Sequence, residues 1–330
     1  MNSVAVTGGG GFIGRAIVAM LLAEEVDCRV LGRSRYPDLE EQGVLCFQGD
    51  IANRDFVFRH LRDVDAVFHV AALAGIWGDW NQFAKTNIDG TKNVIDASLA
   101  NNIGVLVQTS TPSVVFAGEN IIDGDESLDY AGKYLCGYAE SKAIAEQMVL
   151  GVDQNALKSC AIRPHLVWGP GDPHLIPRLL HRGRKGRLKI VGDGANIVDV
   201  TYIDNAAYAH VLAARSLLSS NQACGKAYFI GQERPVQLWT WINELFERAN
   251  IPPVSKTIPL AAALTAGQLL EWGHRALRSN KEPFMTRFLA LQLAKSHSFS
   301  HDRARNDFGY IPRISIEEGM DRLIYWIKNP

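Results

Sequence analysis

The feature that most constrains the fold is a glycine-rich turn between a short apolar run and an amphipathic stretch. The apolar residues 4–6 lead through Thr7 into Gly8-Gly9-Gly10-Gly11-Phe12-Ile13-Gly14, and residues 15–24 then have helical periodicity. A strand, turn and helix of this kind brings the backbone close to a pyrophosphate and directs free helical N–H groups at its negative charge. A flexible turn without a ligand is the alternative interpretation. We expect a dinucleotide to contact Gly8, Gly11, Phe12, Ile13 and Gly14.

Short apolar runs alternate with helical stretches over the first half of the chain. These segments lie at residues 44–47, 66–71, 87–101, 105–109, 137–150 and 159–163. The alternation is typical of an α/β protein with a doubly wound parallel sheet of the Rossmann type. Beyond Arg163, prolines and glycines interrupt it, as expected where a smaller C-terminal substrate lobe is inserted. We predict a dinucleotide-binding domain over 1–165, with later returns near 200–230, and a mainly substrate-binding lobe over 166–330.

The composition does not favour a nucleic-acid-binding protein. The 330 residues are 47% hydrophobic and 21% charged, and the formal net charge is -1, which gives no general attraction for nucleic acid. The first apolar run is cut by glycines after Thr7 and does not resemble a secretion signal. The five cysteines are scattered without a Cys-x-x-Cys pair, which indicates reduced thiols and neither a disulfide frame nor a zinc site. We expect a cytoplasmic protein without a metal site.

The strand predicted at residues 28–31 ends where NAD-binding proteins of this fold place a carboxylate on the adenosine ribose. This chain has Gly32 and Arg33 at that place. A carboxylate would repel a 2′-phosphate, whereas a guanidinium binds it through paired, charge-assisted hydrogen bonds. The pattern predicts NADP(H) as the preferred coenzyme, with NAD(H) possible and with Ser34 and Arg35 as further contacts. The alternative is that Arg33 and Arg35 are ordinary surface charges.

Tyr138 and Lys142 are separated by one turn of the predicted helix 137–150, so their side chains share one face. An ammonium about 4 Å from a phenol contributes roughly 4 kcal/mol at an effective dielectric of about 20, which lowers a pKa near 10 by about 3 units. We therefore expect Tyr138 to exchange a proton near neutral pH. The same pair also arises by chance on solvated helices, and its weight comes from the glycine turn that precedes it.

A third reacting group is predicted where the strand 105–108 ends in Thr109-Ser110-Thr111. The carboxyl ends of parallel strands form the usual ligand crevice of such sheets. A hydroxyl there and Tyr138 would polarise a carbonyl oxygen from two sides while a nicotinamide delivers a hydride. The alternative is an ordinary strand-end turn.

Taken together, these motifs resemble the extended short-chain dehydrogenase/reductases over essentially the whole chain. The matching stretches are Thr7-Gly8-x-x-Gly11-x-x-Gly14, Gly49-Asp50, His69-Val70-Ala71-Ala72, Asn87-x-x-Gly90-Thr91, Ser110-Thr111, Tyr138-x-x-x-Lys142, Arg163-Pro164 and Tyr202-Ile203-Asp204. The resemblance implies that Thr111 is the catalytic hydroxyl, that Tyr138 is the proton donor, and that Lys142 lowers its pKa and holds the nicotinamide ribose. It also implies a homodimer through the helices near Asn87 and Gly137. Further coenzyme contacts are implied at Asp50, Ile51, Ala71 and Ala72.

Within that superfamily the chain is similar to the 3β-hydroxysteroid-dehydrogenase-like branch, and especially to bacterial reductases of 2-alkyl-3-keto fatty acids in olefin biosynthesis. The longer stretches that carry this similarity are residues 74–78, 109–113, 168–174, 191–196 and 313–319. The resemblance implies NADPH reduction of the keto acid to the 3-hydroxy acid. A steroid dehydrogenase, a nucleotide-sugar epimerase and a non-catalytic NADP-sensing regulator are the alternatives. A sugar dehydratase is not favoured, because Pro112-Ser113 occupies the place of the family's Asp-Glu pair.

The segment 258–278 begins with an apolar run but is too short to cross a bilayer, which needs roughly 20 apolar residues. We expect an amphipathic helix that covers the substrate pocket, with attachment to a membrane surface as the alternative. Its expected polar stripe consists of Thr265, Gln268, Glu271 or Trp272, Arg275 and Arg278. This helix and residues 73–80 are predicted to form apolar pocket walls with few cations, suited to a small hydrophobic acyl or sterol-like substrate.

Overall fold

The structure, a computed structural model, describes residues 1–277, 279 and 281–329. The strands are β1 (Ser3–Thr7), β2 (Asp27–Gly32), β3 (Leu45–Gln48), β4 (Ala66–His69), β5 (Val105–Thr109), β6 (Ile121–Gly124), β7 (Lys158–Pro164), β8 (Val167–Trp168), β9 (Ile190–Val191), β10 (Ile197–Val198), β11 (Thr201–Tyr202), β12 (Lys226–Ile230), β13 (Val236–Gln237), β14 (Thr257–Ile258) and β15 (His297–Phe299). The α-helices are α1 (Phe12–Leu22), α2 (Pro37–Glu40), α3 (Arg54–His60), α4 (Trp80–Phe83), α5 (Gly90–Ala100), α6 (Gly137–Leu150), α7 (Leu175–Arg184), α8 (Ile203–Ser219), α9 (Leu238–Arg248), α10 (Leu260–Ala276), α11 (Arg287–Ala294), α12 (Asp302–Phe308) and α13 (Ile316–Lys328).

A seven-stranded sheet with the order β12-β7-β5-β4-β1-β2-β3 dominates the described part of the chain. All of its neighbouring strands are parallel. The connections run in opposite directions on the two sides of β1, so a crevice opens at the carboxyl ends of β1 and β4. Smaller sheets lie in the C-terminal part. The predicted fold class, a Rossmann-type doubly wound sheet with a smaller lobe, is confirmed.

Alternate residues of the central strand face opposite layers of helices. Val4 and Val6 are fully buried in a core that also takes residues from α1 and α8. Ala5, between them, is buried in a second core with residues from α3 and α5. Because a strand alternates its side chains, an uninterrupted apolar run is the pattern required of a strand covered on both faces.

The chain passes more than once between the large sheet and the smaller ones. β12 pairs with β7 at the edge of the large sheet, and α8 packs on α1. In the other direction, β6 from the first half of the chain pairs with β15 in a four-stranded sheet. The division into residues 1–165 and 166–330 stays a prediction.

Helix α10 forms within the predicted segment, and Thr265, Gln268, Trp272 and Arg275 of the expected stripe are exposed. Glu271, the alternative to Trp272 in that stripe, is 5% exposed, whereas Leu269 and Trp272 are 65% and 72% exposed. Arg278 lies outside the described residues. Glu271 is buried by a contact with α11, where it accepts from Arg287 N at 2.7 Å and from its Nε at 3.0 Å. Gly267 permits the close approach, since a Cβ there would lie 2.8 Å from Arg287 N.

Among the helices of the described residues, none is both long enough and apolar enough to cross a bilayer.

Candidate active site

The glycine turn is built for close backbone contact. Gly8 has a φ of +69°, and a Cβ placed on it would lie 2.8 Å from Ala71 N and Cα. A Cβ on Gly14 would lie 2.3 Å from Gly8 O. Gly11 begins α1 without a side-chain cap on the first turn. The turn therefore presents backbone and a helix N-terminus, the arrangement that fits a dinucleotide pyrophosphate.

A groove of about 460 Å³ runs from this turn along the carboxyl edge of the sheet, and we call it the sheet-edge groove. Gly14, Arg35 and Thr111 are the predicted site residues that do not line it; Gly14 packs inside the turn. The predicted residues that line it are Gly8, Gly11, Phe12, Ile13, Arg33, Ser34, Asp50, Ile51, Ala71, Ala72, Tyr138 and Lys142.

A buried chain of hydrogen bonds fixes the loop that follows β4. Thr91 Oγ1 donates to Asn87 O at 2.6 Å, so it accepts from His69 Nε2 at 2.8 Å. His69 Nδ1 then accepts from Thr7 Oγ1 at 2.8 Å, and Thr7 Oγ1 accepts from Ala71 N at 3.2 Å. Burial, followed by the charge of Lys142, lowers the pKa of His69 to about 3. The imidazole is therefore a neutral connector with a fixed tautomer.

Asn87 extends this network to the helix that carries Tyr138. Its amide oxygen accepts from Leu73 N at 2.7 Å, and its amide nitrogen donates to Leu73 O at 3.1 Å and Ser141 Oγ at 2.9 Å. Ser141 Oγ donates in turn to Tyr138 O at 2.9 Å. The groove wall at Ala71–Ala72 and the start of α6 are thus held in one rigid arrangement.

Tyr138, Lys142 and the end of β5 come together in the structure. The Lys142 ammonium donates to Thr109 O at 2.6 Å. The Tyr138 hydroxyl lies near Thr111, whose side chain opposes the rise in the Tyr138 pKa. Thr111 Oγ1 accepts from Ser113 N at 3.2 Å and so begins the short 3₁₀ turn Pro112–Val114. A phenol, an ammonium and a hydroxyl therefore lie at one end of the groove.

The expected lowering of the Tyr138 pKa is wrong for this structure. Burial raises the pKa of Tyr138 to about 12, with Cys136 adding to the rise and the Thr111 side chain opposing it. Burial also lowers the pKa of Lys142 to about 8, against a smaller rise from Glu146. The reason is desolvation, which disfavours the phenolate form of Tyr138 and the ammonium form of Lys142. The expectation considered only the distance between the two charges and not their burial. At neutral pH the phenol retains its proton.

Glu146, one turn beyond Lys142, belongs to a buried ion pair. Its carboxylate accepts from Arg163 Nη2 at 2.6 Å and Nε at 3.0 Å, and from the Tyr130 hydroxyl at 2.7 Å. Arg163 comes from the Arg-Pro motif at the end of β7. The pair holds α6 against the sheet and keeps a negative charge near Lys142.

Two residues at the groove were not singled out from the sequence. Tyr36 lies between two glycines, because a Cβ on Gly10 would lie 2.0 Å from its ring and one on Gly32 would lie 2.4 Å from its hydroxyl. Ser110 had been named only as part of a cluster. Its buried Oγ lines the groove and has no hydrogen-bond partner among the described residues. A buried hydroxyl of this kind is ready to bond a ligand.

A second cavity, of about 380 Å³, begins at Cys136 and Gly137, directly before Tyr138; we call it the Trp77 cavity. Ile76 and Trp77 line it, as expected for the predicted walls. The contribution of α10 differs from the expectation, because the helix supplies Glu271, His274 and Arg275 rather than leucines and alanines. The side of α10 that bears Glu271 faces α11 and this cavity. The Trp77 cavity thus has an apolar wall and a polar wall, on which the Arg275 guanidinium lies with His274 and the carboxylates of Asp79 and Glu271.

Metal ligation has little support in the arrangement of side chains. Over residues 1–277, 279 and 281–329, no three His, Cys, Asp or Glu side chains converge on one point. His297, four residues before His301, is hydrogen-bonded through its Nδ1 to His165 Nε2 at 2.6 Å.

Comparison with known proteins identifies relatives over nearly the full length. The sequence matches the 3-beta hydroxysteroid dehydrogenase/isomerase family over residues 5–261. It is 48% identical to a 2-alkyl-3-oxoalkanoate reductase of Shewanella oneidensis, over 96% of this chain and 84% of that protein. It is 32% identical to the sterol-4-alpha-carboxylate 3-dehydrogenase, decarboxylating, of Homo sapiens, over 98% of this chain and 88% of that protein.

Among solved structures, a UDP-glucose 4-epimerase of Thermotoga maritima has a TM-score of 0.75 at 20% identity, with 99% of each chain covered. At that identity the similarity concerns the fold alone. The family match and the relatives confirm the prediction of an NAD(P)-dependent oxidoreductase of the short-chain dehydrogenase/reductase class. The chain belongs to the 3-beta hydroxysteroid dehydrogenase/isomerase family.

Proposed function

We propose that this chain is an NADPH-dependent reductase that converts a long-chain 2-alkyl-3-oxoalkanoate to the 3-hydroxy acid. One observation carries the proposal: Tyr138, Lys142 and the hydroxyls that follow β5 converge at the end of the groove that starts at the glycine turn. The name of the Shewanella relative supports this choice of substrate.

The site residues divide the chemistry of ketone reduction between them. When bound, the reduced nicotinamide supplies a hydride to the carbonyl carbon. Tyr138 donates its proton to the carbonyl oxygen, and Lys142 and Thr111 stabilise the phenolate that remains until solvent returns a proton. Because the pKa of Tyr138 is raised to about 12, the phenol is protonated at neutral pH, as reduction requires.

NADP(H) is the coenzyme that the groove favours. β2 ends at Gly32, and Arg33 and Ser34 line the groove beyond it. The next carboxylate along the chain, Asp38, is paired with Arg15 and is therefore occupied. A 2′-phosphate would meet a guanidinium and a hydroxyl there, which bind it through charge-assisted hydrogen bonds.

The substrate class follows from a chemical feature that two relatives share in their names. In a 2-alkyl-3-oxoalkanoate and in a sterol-4-alpha-carboxylate oxidised at carbon 3, a carboxylate is attached to the carbon next to the reacting one. The Trp77 cavity offers matching walls, with Ile76 and Trp77 for alkyl groups and the Arg275 guanidinium for a carboxylate. We infer a β-keto acid whose alkyl chains lie against the apolar wall.

A sterol β-hydroxy acid is the second candidate, because the family match and the human relative favour it. The experiment compares NADP⁺ reduction with a long-chain 2-alkyl-3-hydroxy acid, a 4-carboxysterol and a UDP-sugar. Turnover of the alkyl hydroxy acid is the expected result. Turnover of the sterol alone would select the second candidate, and turnover of the UDP-sugar alone would overturn both. The homodimer and the cytoplasmic location stay predictions.

A further inference from the structure

The outward face of α10 carries large apolar side chains beside a polar stripe. Leu269 and Trp272 are 65% and 72% exposed, and Leu277, just beyond the helix, is 80% exposed. The exposed polar side chains of Gln268 and Arg275 border Leu269 and Trp272, and the Thr265 hydroxyl is bonded back to Ala261 O at 2.9 Å. Other exposed apolar residues on this face are Ala262, Ala266 and Ala276. An apolar stripe that spans roughly 25 Å of helix is unusual on a surface exposed to water.

Intramolecular packing does not account for this face, because the opposite face already makes the helix's contacts. Ala263 is buried in the C-terminal core, and Gly267 and Glu271 contact the start of α11. Phe284, in the loop before α11, is a further large apolar side chain that is 50% exposed. The apolar stripe thus lies on the side of α10 that is left uncovered.

A strongly basic segment borders the same region. Between Asp172 and Asp193 the chain contains no carboxylate. The Arg182 guanidinium lies 4.7 Å from the ring centroid of Phe284, and Arg178 pairs with Glu282 at 2.8 Å, so this segment contacts the loop before α11. Its exposed or half-exposed cations are Arg178, Arg182, Arg184, Lys185, Arg187 and Lys189. Since the net charge of the chain is only -1, the concentration of positive charge is local.

We propose that these two features form a docking surface for an anionic lipid bilayer. Leu269, Trp272, Leu277 and Phe284 enter the boundary between head groups and acyl chains, and the basic segment contacts the anionic head groups. An amphipathic helix that lies in the interface plane has this composition, with Trp and Leu on the buried face and Arg and Lys beside it. The positive charge of the basic segment favours an anionic bilayer over a neutral apolar surface as the partner.

The docking surface and the Trp77 cavity lie on two sides of one helix. His274 and Arg275 line the cavity, while Leu269 and Trp272 face outward. If the substrate is the long-chain keto acid proposed above, it passes from the bilayer to the site along α10 without full exposure to water. This step alone rests on the proposed function, whereas the docking surface does not.

The experiment measures co-sedimentation of the full chain with vesicles of phosphatidylcholine plus phosphatidylglycerol, and with vesicles of phosphatidylcholine alone. The full chain is expected to sediment with the anionic vesicles and to be released by salt. Leu269→Ser/Trp272→Ser is expected to lower the partition coefficient by about tenfold or more, because both side chains leave the interface. Lys185→Glu/Arg187→Glu is expected to remove the preference for anionic vesicles. Ile122→Ser, at an apolar side chain 73% exposed on β6, is the matched control and is expected to change nothing.

Three results would overturn the docking surface. The first is that the unmodified chain stays in the supernatant with anionic vesicles, and the second is that the Leu269/Trp272 variant sediments as well as the unmodified chain does. The third is that this variant instead changes the oligomeric state in size-exclusion chromatography, which would assign the face to self-association. Because sedimentation requires no turnover, it fails or succeeds independently of the proposed reaction.

Discussion

The ammonium of Lys142 lies 2.6 Å from the carbonyl oxygen of Thr109, which ties the helix of the proton donor to the end of a central strand. The same strand end supplies Ser110 to the groove and Thr111 to the Tyr138 hydroxyl. One backbone contact thus sets the spacing between the acid, the hydroxyls and the cation. The relative placement of these groups is fixed by the fold before a ligand arrives.

Tyr138→Phe removes the proposed acid and leaves the glycine turn intact. We expect turnover of the keto acid to fall roughly 100-fold or more, while the dissociation constant for NADPH changes little. Steady-state kinetics together with a fluorescence titration of NADPH measure the two effects. Near-normal turnover of this variant would show that the acid has been misassigned.

Lys142→Met tests the burial of a charge. Because burial lowers the Lys142 pKa from 10.5 to about 8, the unfolded chain binds more protons than the folded chain between these pH values. The charged lysine therefore costs stability below pH 8, and that cost fades as the pH rises toward 10.5. We expect the variant to gain up to about 3 kcal/mol in free energy of unfolding below pH 8, and little at pH 10.5.

The activity of Lys142→Met should change in the opposite direction to its stability, with both turnover and NADPH binding impaired. Urea unfolding at neutral pH and at pH 10.5, beside the same measurements on the unmodified chain, provides the check. A loss of stability at neutral pH would mean that the bond to Thr109 outweighs the desolvation of the ammonium.

Arg33→Ala tests the choice of coenzyme. A charge-assisted pair with a 2′-phosphate contributes about 1.5 to 3 kcal/mol, so we expect NADPH to bind roughly tenfold to a hundredfold more weakly to the variant. NADH binding should be unchanged, which makes it the internal control. Equal dissociation constants for the two coenzymes in the unmodified chain would refute the assignment.

Ser110→Ala tests whether the Ser110 hydroxyl binds a ligand or stabilises the fold. Because Ser110 Oγ is buried without a partner among the described residues, its removal should leave the fold as stable or stabilise it by about 1 kcal/mol. Coenzyme or substrate should bind more weakly, by about fivefold to tenfold. Thr111→Val is the comparison, since it removes the cap on Ser113 and should lower both stability and turnover. A Ser110→Ala chain that is less stable and binds normally would exclude a role in binding.

The parts of the site that the sequence predicted are those set by local spacing. The turn at Gly8, the helical pair Tyr138 and Lys142, and Arg33 at the end of β2 all depend on a few neighbouring residues and on one strand order. Their convergence on one groove follows from the parallel sheet, because the carboxyl ends of its strands meet at one edge.

The features of the site that the sequence did not predict, or predicted wrongly, depend on residues far apart in the chain. The Tyr138 pKa rises because the completed fold desolvates the phenol, and no spacing within α6 reports that burial. The outward face of α10 is set by the bond between Glu271 and Arg287, which belongs to another helix. Tyr36 takes its place because Gly10 and Gly32 both leave room for its ring.

The most direct test of the proposed reaction follows one hydrogen atom. A long-chain 2-alkyl-3-keto acid is incubated with NADPH that carries deuterium at the transferable position, and the product is analysed by mass spectrometry. The proposal predicts a 3-hydroxy acid that retains its carboxylate and carries a single deuterium on carbon 3, formed by the unmodified chain and hardly at all by Tyr138→Phe. A chain that binds NADPH but forms no deuterated hydroxy acid would contradict it.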